Sequence, residues 1–485
     1  MTIKDLEPKI VWDNFYGLSQ VPRPSKHEAK VQQYLLDWGH AHGVEVFKDD
    51  TGNIIFRKPA TPGFENRRGV IFQGHMDMVP QKTAETVHDF ENDPIQTEIL
   101  GEWVGAKGTT LGADNGIGVC MGLAVLQDNT LKHGPVEVLV TYDEETGMTG
   151  ASSLKPGVLQ GDILMNLDSE TEGELYIGCA GGLDATADFA YDTIPAEAGM
   201  QTWKLTVKGL SGGHSGMDIV LYRANANKAA ARIILPLMKN YGVKLVSFTG
   251  GSLRNAIPFE AEVELLVPAT SVEDVKAAVE SVFAEIKAEY AETDPEAVCY
   301  FEQQEDASGY IADTVALNAV KAIMACPNGV ERMSAAVEGL VETSNNMAVI
   351  RTENGHFTVR CLMRSSVDTA KYDLSEKMRA VFELAGAEFT TAGGYSGWTP
   401  NPGTAIIAVM KDVYEKMYGK EMKVMAIHAG LECALLGAKY PNWDMVSFGP
   451  TIVHPHSPDE RVKIDTVAKT WEYLKAVLEN IPEKD

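Results

Sequence analysis

Short apolar runs alternate with helical segments along the first third of the chain, and this alternation limits the fold more than any other feature. Asn53-Ile54-Ile55-Phe56 and Gly69-Val70-Ile71-Phe72 come first, and the second is apolar throughout, as a strand covered on both faces is. A helix is predicted over 117–127, a strand over 136–140, a connector or short helix over 152–159, and a strand over 162–167. Strands and helices in alternation predict an α/β domain with a mostly parallel central sheet flanked by helices. Upstream, 11–43 reads as two helical segments joined by Val21-Pro22-Arg23-Pro24-Ser25. Ser25 is the expected N-cap of the second, with Glu28 as its capping-box acid.

The pattern changes near Gly181-Gly182, where longer strands (202–209) and amphipathic helices (272–290) begin. A Gly/Pro-rich stretch, Gly-Gly-Tyr-Ser-Gly-Trp-Thr-Pro-Asn-Pro-Gly, occupies 393–403. At 485 residues the chain is long enough for two domains. The expectation is a catalytic domain in two pieces, 1–184 and 396–485, with an α+β domain inserted at 185–395.

Composition excludes several classes of partner. Sixty-eight acidic against 42 basic residues give a net charge of −26. A surface this acidic repels nucleic acid and anionic membrane. The six cysteines form no CxxC pair, so neither a disulfide framework nor a thiolate metal site is expected. The first residues carry acids and a proline without an apolar signal core, which points to the cytoplasm.

The chemistry lies where the strands end. His75 and Asp77 follow the strand through Phe72. Asp114 precedes a helix. Glu144 and Glu145 follow the strand through Thr141, Asp168 ends the strand after Asp162, and His456 follows the strand through Phe448. Ligand crevices in open α/β sheets lie at the carboxyl ends of the strands. Any one of these acids could be a turn former or a helix cap. Four strand ends delivering His, Asp or Glu together point instead to a metal centre. Imidazole and carboxylate without thiolate suit a catalytic zinc site, and three carboxylates with a hydroxide balance two divalent ions. Asp77 is placed to orient the His75 ring, and Glu144 to act as general base.

Gly-His-Met-Asp-Met-Val-Pro, Gly-Ala-Asp-Asn-Gly-Ile-Gly, Glu144-Glu145, Asn-Leu-Asp-Ser-Glu and Pro-His-Ser-Pro-Asp-Glu together resemble a known family. It is the di-zinc metallopeptidase family that includes carnosinase, peptidase T and carboxypeptidase G. Thr-Val-His-Asp-Phe, Gly-Gly-His-Ser-Gly, Leu-Arg-Asn-Ala-Ile-Pro and His-Ala-Gly-Leu-Glu-Cys are similar to its aminoacyl-histidine dipeptidase subgroup. The resemblance implies that His75 and Asp168 hold one zinc, Glu145 and His456 the other, and that Asp114 bridges them. It implies a cis bond at Asp114-Asn115. It makes the inserted domain a lid, in which His214 stabilises the oxyanion while Asn255, Arg364 and Gly430 bind substrate. On residue type alone, His214 reads as a turn histidine and Arg364 as one half of a surface ion pair. A guanidinium is nonetheless suited to gripping a carboxylate.

The implied activity is hydrolysis of dipeptides of the Xaa-His type, such as β-alanyl-histidine, with two zinc ions per subunit. Cobalt or manganese would share these ligands. A small peptide substrate and a homodimer are the implied partners. His428 is a further candidate for lining the substrate pocket. On the same scaffold the alternative is an N-acyl amino acid deacylase. A catalytically silent binding protein would have damaged ligand positions, and all five are intact.

Overall fold

The run Val70–His75 and the run Val136–Thr141 are both strands, and every residue in them is buried. Burial on both faces explains why they are apolar without alternation. The helix Ala113–Gln127, buried almost throughout, packs against both. These elements belong to an eight-stranded sheet. Its order is Glu45–Lys48, Ile54–Lys58, Val136–Thr141, Val70–His75, Ile163–Asn166, Asp444–Ser447, Glu174–Cys179, Lys423–Ile427.

The four inner strands, from Val136–Thr141 to Asp444–Ser447, pair in parallel. The first two strands are an antiparallel hairpin, joined antiparallel to Val136–Thr141, and Glu174–Cys179 also runs against its inner neighbour. A connection as short as 49–53 cannot cross over, so the first pair must be antiparallel. Asp49 closes that turn by accepting the N–H groups of Thr51, Gly52 and Asn53.

The computed structural model describes residues 2–484. They form two compact units. The first is Met1–Gly178, Trp398–Ala426 and Leu431–Asp485; the second is Cys179–Gly397 with Ile427–Gly430. The first unit also holds a four-stranded antiparallel sheet. Its strands Ile452–Val453 and Arg461–Lys463 hold the loop that carries His456.

The N-terminal helices span Lys9–Ser19 and Ala29–Ala41. Ser25 is not the cap of the second helix. Glu28 holds the N-cap position without a side-chain cap bond, and the Ser25 hydroxyl faces the Met78 carbonyl. The positive φ of Lys26 (71°) turns the chain and delays the helix to residue 29.

The second unit is an antiparallel sheet of nine strands. Helices Ala226–Asn240, Val272–Glu289, Asp313–Ala325 and Asp368–Leu384 pack against it. Its core includes Leu205, Ile233, Phe248, Val263, Phe357 and Phe382. This is an α+β arrangement, as expected. Among the described residues, no helix is long and apolar enough to cross a membrane.

Candidate metal centre and substrate-binding residues

His75 is the last residue of its strand, and its Nε2 lies 3.1 Å from Asp114 Oδ1 and 3.5 Å from Asp168 Oδ1. His456 Nε2 lies 3.2 Å from Asp114 Oδ2 and 3.0 Å from Glu145 Oε2. Asp114 therefore places one carboxylate oxygen against each imidazole. The five residues named from the strand ends meet in the first unit.

The backbone makes room for this meeting. Gly112 adopts φ 71°, in the left-handed region that suits glycine. The Asp114–Asn115 bond is cis, and neither residue has helical dihedrals. Gly74 lets the Asn115 side chain pass, since a Cβ there would lie 2.1 Å from Asn115 Oδ1. Asn115 Nδ2 in turn donates to the Leu167 carbonyl, beside Asp168.

Electrostatics at the cluster follow from burial and crowding. Burial opposes a charge on His75, but Asp168, Asp114 and Asp77 outweigh it and raise its pKa. Hydrogen bonds that its imidazole donates to Asp114 and Glu145 lift His456 to about 11. Burial pushes Asp168 up to about 7. Burial, reinforced by Glu432, Asp168 and Glu145, also raises Glu144 well above the carboxylate range. Protons thus gather where a multivalent cation would relieve the same repulsion.

The donors fit a metal site. Oxygen and nitrogen atoms of His75, Asp114 and Glu145 lie within 4.8 Å of one another. Glu145 Oε1 and Asp168 Oδ1 are buried without hydrogen-bond partners. Buried carboxylate oxygens are seldom left so.

Asp77 borders the His75 ring and has a second task. His75 Nδ1 lies 3.1 Å from the Asp77 main-chain carbonyl and 3.5 Å from its carboxylate. That carboxylate mainly accepts the N–H groups of Glu144 (3.0 Å) and Glu145 (3.2 Å). It anchors the turn that carries both glutamates, as well as bordering the ring.

Three supporting residues escaped the sequence reading. Glu460, almost fully buried, accepts the N–H groups of Leu111 (2.8 Å), Gly112 (2.9 Å) and Asp114 (3.1 Å). Arg23, also buried, donates to the carbonyls of Met76, Asp77 and Gly112. Glu432 Oε2 accepts from Gln73 and Thr141, both at 2.6 Å, and the chain of bonds continues through Asn166 and Ser447 to Ser169. Each inner strand contributes one member. Glu460 lies at the end of the Pro-His-Ser-Pro-Asp-Glu motif, and the paired prolines around Arg23 are a local signal.

In the second unit, His214 lies on the two-residue strand Gly213–His214, paired with Ala256–Ile257. Its Nδ1 accepts the N–H groups of Gly216 (3.2 Å) and Met217 (3.1 Å). That assigns the ring proton to Nε2, and burial followed by Arg364 lowers its pKa, keeping the ring neutral. Arg364 is not a surface ion pair. It is 5% exposed, its partners are the Ser215 and Tyr395 hydroxyls, and no described carboxylate forms a salt bridge with it. His428 Nε2 lies 2.7 Å from Ser344 Oγ, and burial followed by Arg364 pushes its pKa to about 3. Asn255 is exposed, and its carbonyl accepts the Ser215 N–H. Gly430 lies in the loop between Lys423–Ile427 and Glu432–Lys439.

Sequence comparison accords with this chemistry, and the chain belongs to peptidase family M20/M25/M40, matched over residues 71–480. It is 44% identical to the cytosol non-specific dipeptidase of Escherichia coli K12, over 99% of each chain. It is similar to the crystal structure of aminoacylhistidine dipeptidase from Vibrio alginolyticus, with 49% identity, a TM-score of 0.95, and coverage of 100% of this chain and 99% of that one. The aminopeptidase PepT structure from Bacillus cereus shares the fold at 18% identity and a TM-score of 0.58, covering 98% and 99%.

Proposed function

We propose that this dipeptidase of the M20/M25/M40 family cleaves Xaa-His dipeptides such as β-alanyl-histidine, in the cytosol, with two zinc ions. His75 and Asp168 would hold one ion, His456 and Glu145 the other, and Asp114 would serve both. Ions held there would supply Lewis-acid chemistry, polarising a carbonyl and bringing the pKa of water towards neutrality. The observation that carries this assignment is Asp114, with one oxygen on each imidazole.

This chain's own groups do the rest. Glu144 takes a proton from the attacking water and passes it to the leaving nitrogen as the C–N bond breaks. Asp77 fixes the turn carrying Glu144 and Glu145. His214, neutral with its proton on Nε2, donates to the developing oxyanion. Arg364, buried without a counter-ion, takes the substrate's terminal carboxylate, helped by Asn255 and by the backbone at Gly430. The second unit acts as the lid of the reaction.

The chain pairs into a homodimer. Met217, Leu221, Tyr222, Leu253 and Phe259 of the second unit are large, apolar and 45–63% exposed, which supports pairing through that unit.

A mass-spectrometric assay offering β-alanyl-histidine, other dipeptides and N-acetyl amino acids to one preparation tests the substrate. Cleavage of β-alanyl-histidine is expected, with N-acetyl amino acids untouched. Preferred turnover of the acetylated substrates would make the enzyme a deacylase instead.

A further inference from the structure

A second group of acids lies in the first unit, behind the turn that carries Glu144 and Glu145. Glu28, Asp77 and Asp143 each offer an oxygen within 4.8 Å of the others. All three are buried, at 1%, 0% and 5% exposure. Asp77 accepts two backbone N–H groups, and Asp143 accepts the hydroxyls of Thr146 and Thr149. None of the described lysine or arginine side chains forms a salt bridge with any of the three. His75 Nδ1 lies 3.5 Å from the Asp77 carboxylate, and the buried Arg23 spends its hydrogen bonds on main-chain carbonyls.

Glu28 adds an independent observation. Its Oε1 accepts the Lys26 N–H at 2.8 Å, while its Oε2 is buried with no hydrogen-bond partner. The side chain turns away from the helix N-terminus it was expected to cap and joins the other two acids. Burial raises its pKa to about 7, the mark of a carboxylate without a counter-charge. Charge crowded in this way is offset by a bound proton or by a bound cation.

We propose that Glu28, Asp77 and Asp143 form a site for a hard divalent cation, separate from the imidazole-bearing centre. The donors are all oxygens, which favours calcium, magnesium or manganese over zinc. A cation there ties the start of the helix Ala29–Ala41 to the turn bearing the catalytic base. Its role is to brace that turn.

The test is calcium titration by calorimetry on enzyme already carrying its full complement of transition metal. Calcium competes poorly for imidazole, so a new binding event reports the oxygen site. One saturable calcium per chain is expected, with affinity at least tenfold weaker in Glu28→Gln. As a second measurement, terbium luminescence excited through Tyr142, next to Asp143, should appear in the parent and fall in Glu28→Gln. Circular dichroism checks that the variant is folded, and Asp143→Asn repeats the test if it is not. Absence of calcium and terbium binding at millimolar concentration overturns the site and leaves a proton on Glu28. Binding unchanged in both variants overturns it as well. The readout is independent of peptide hydrolysis, so failure here leaves the dipeptidase assignment untouched.

Discussion

Replacing Glu460 by glutamine should loosen the loop that carries Asp114. The carboxylate accepts three backbone N–H groups, two at Oε2 and one at Oε1. In Glu460→Gln the amide oxygen can keep the pair from Leu111 and Gly112, but the NH₂ then faces the Asp114 N–H. One charge-assisted bond is lost, worth about 1.5–3 kcal/mol, and a buried N–H is left unsatisfied at about 1–3 kcal/mol. Allowing for relaxation, the local cost is about 3–5 kcal/mol. Hydrogen exchange measures this directly, because the three amides report opening of that loop. Their protection should fall by about a hundredfold to a few thousandfold, at about 1.4 kcal/mol per decade, while amides in the Val272–Glu289 helix stay unchanged. Protection at Leu111, Gly112 and Asp114 within tenfold of the parent would refute the clasp.

Three further outcomes follow from the same geometry. Glu144→Gln should retain its metal content, measured by mass spectrometry, while kcat falls by about a hundred- to ten-thousandfold; near-normal turnover would remove Glu144 as the base. Prolonged chelation should abolish hydrolysis and added zinc should restore it, and a metal-free preparation with full activity would refute the metal assignment. His428 has a folded pKa of about 3 against about 6.5 when unfolded, so the unfolded chain takes up its proton first as pH falls. Stability is therefore lost from about pH 6.5 downward, by about 3 kcal/mol at about pH 4.5, and urea denaturation of His428→Gln should show a smaller acid loss by that amount.

The meeting of His75, Asp114, Glu145, Asp168 and His456 was legible because strand ends share one edge of a sheet, and short apolar runs mark where strands end. The inner strands were legible for the same reason. The antiparallel outer strands were not, since an apolar run such as Ile54-Ile55-Phe56 carries no record of its partner's direction. Glu460 and Arg23 act on main-chain atoms far away in sequence, and such bonds leave no periodic trace. Glu28 was misread because three residues after a serine is where a capping glutamate sits, and only packing shows the side chain turned elsewhere. The neutral state of His214 and the missing counter-ion of Arg364 likewise depend on neighbours that spacing cannot supply.

The tetrapeptide Ile427–Gly430 bears on how this protein could be recombined with its relatives. A chimera that exchanges only the long insert, cut at Cys179 and Gly397, would pair a foreign serine position with the resident His428, or the reverse. Ser344 and His428 sit on separate stretches of chain yet share one hydrogen bond. Transplanting the insert intact therefore takes two grafts, the second only four residues long.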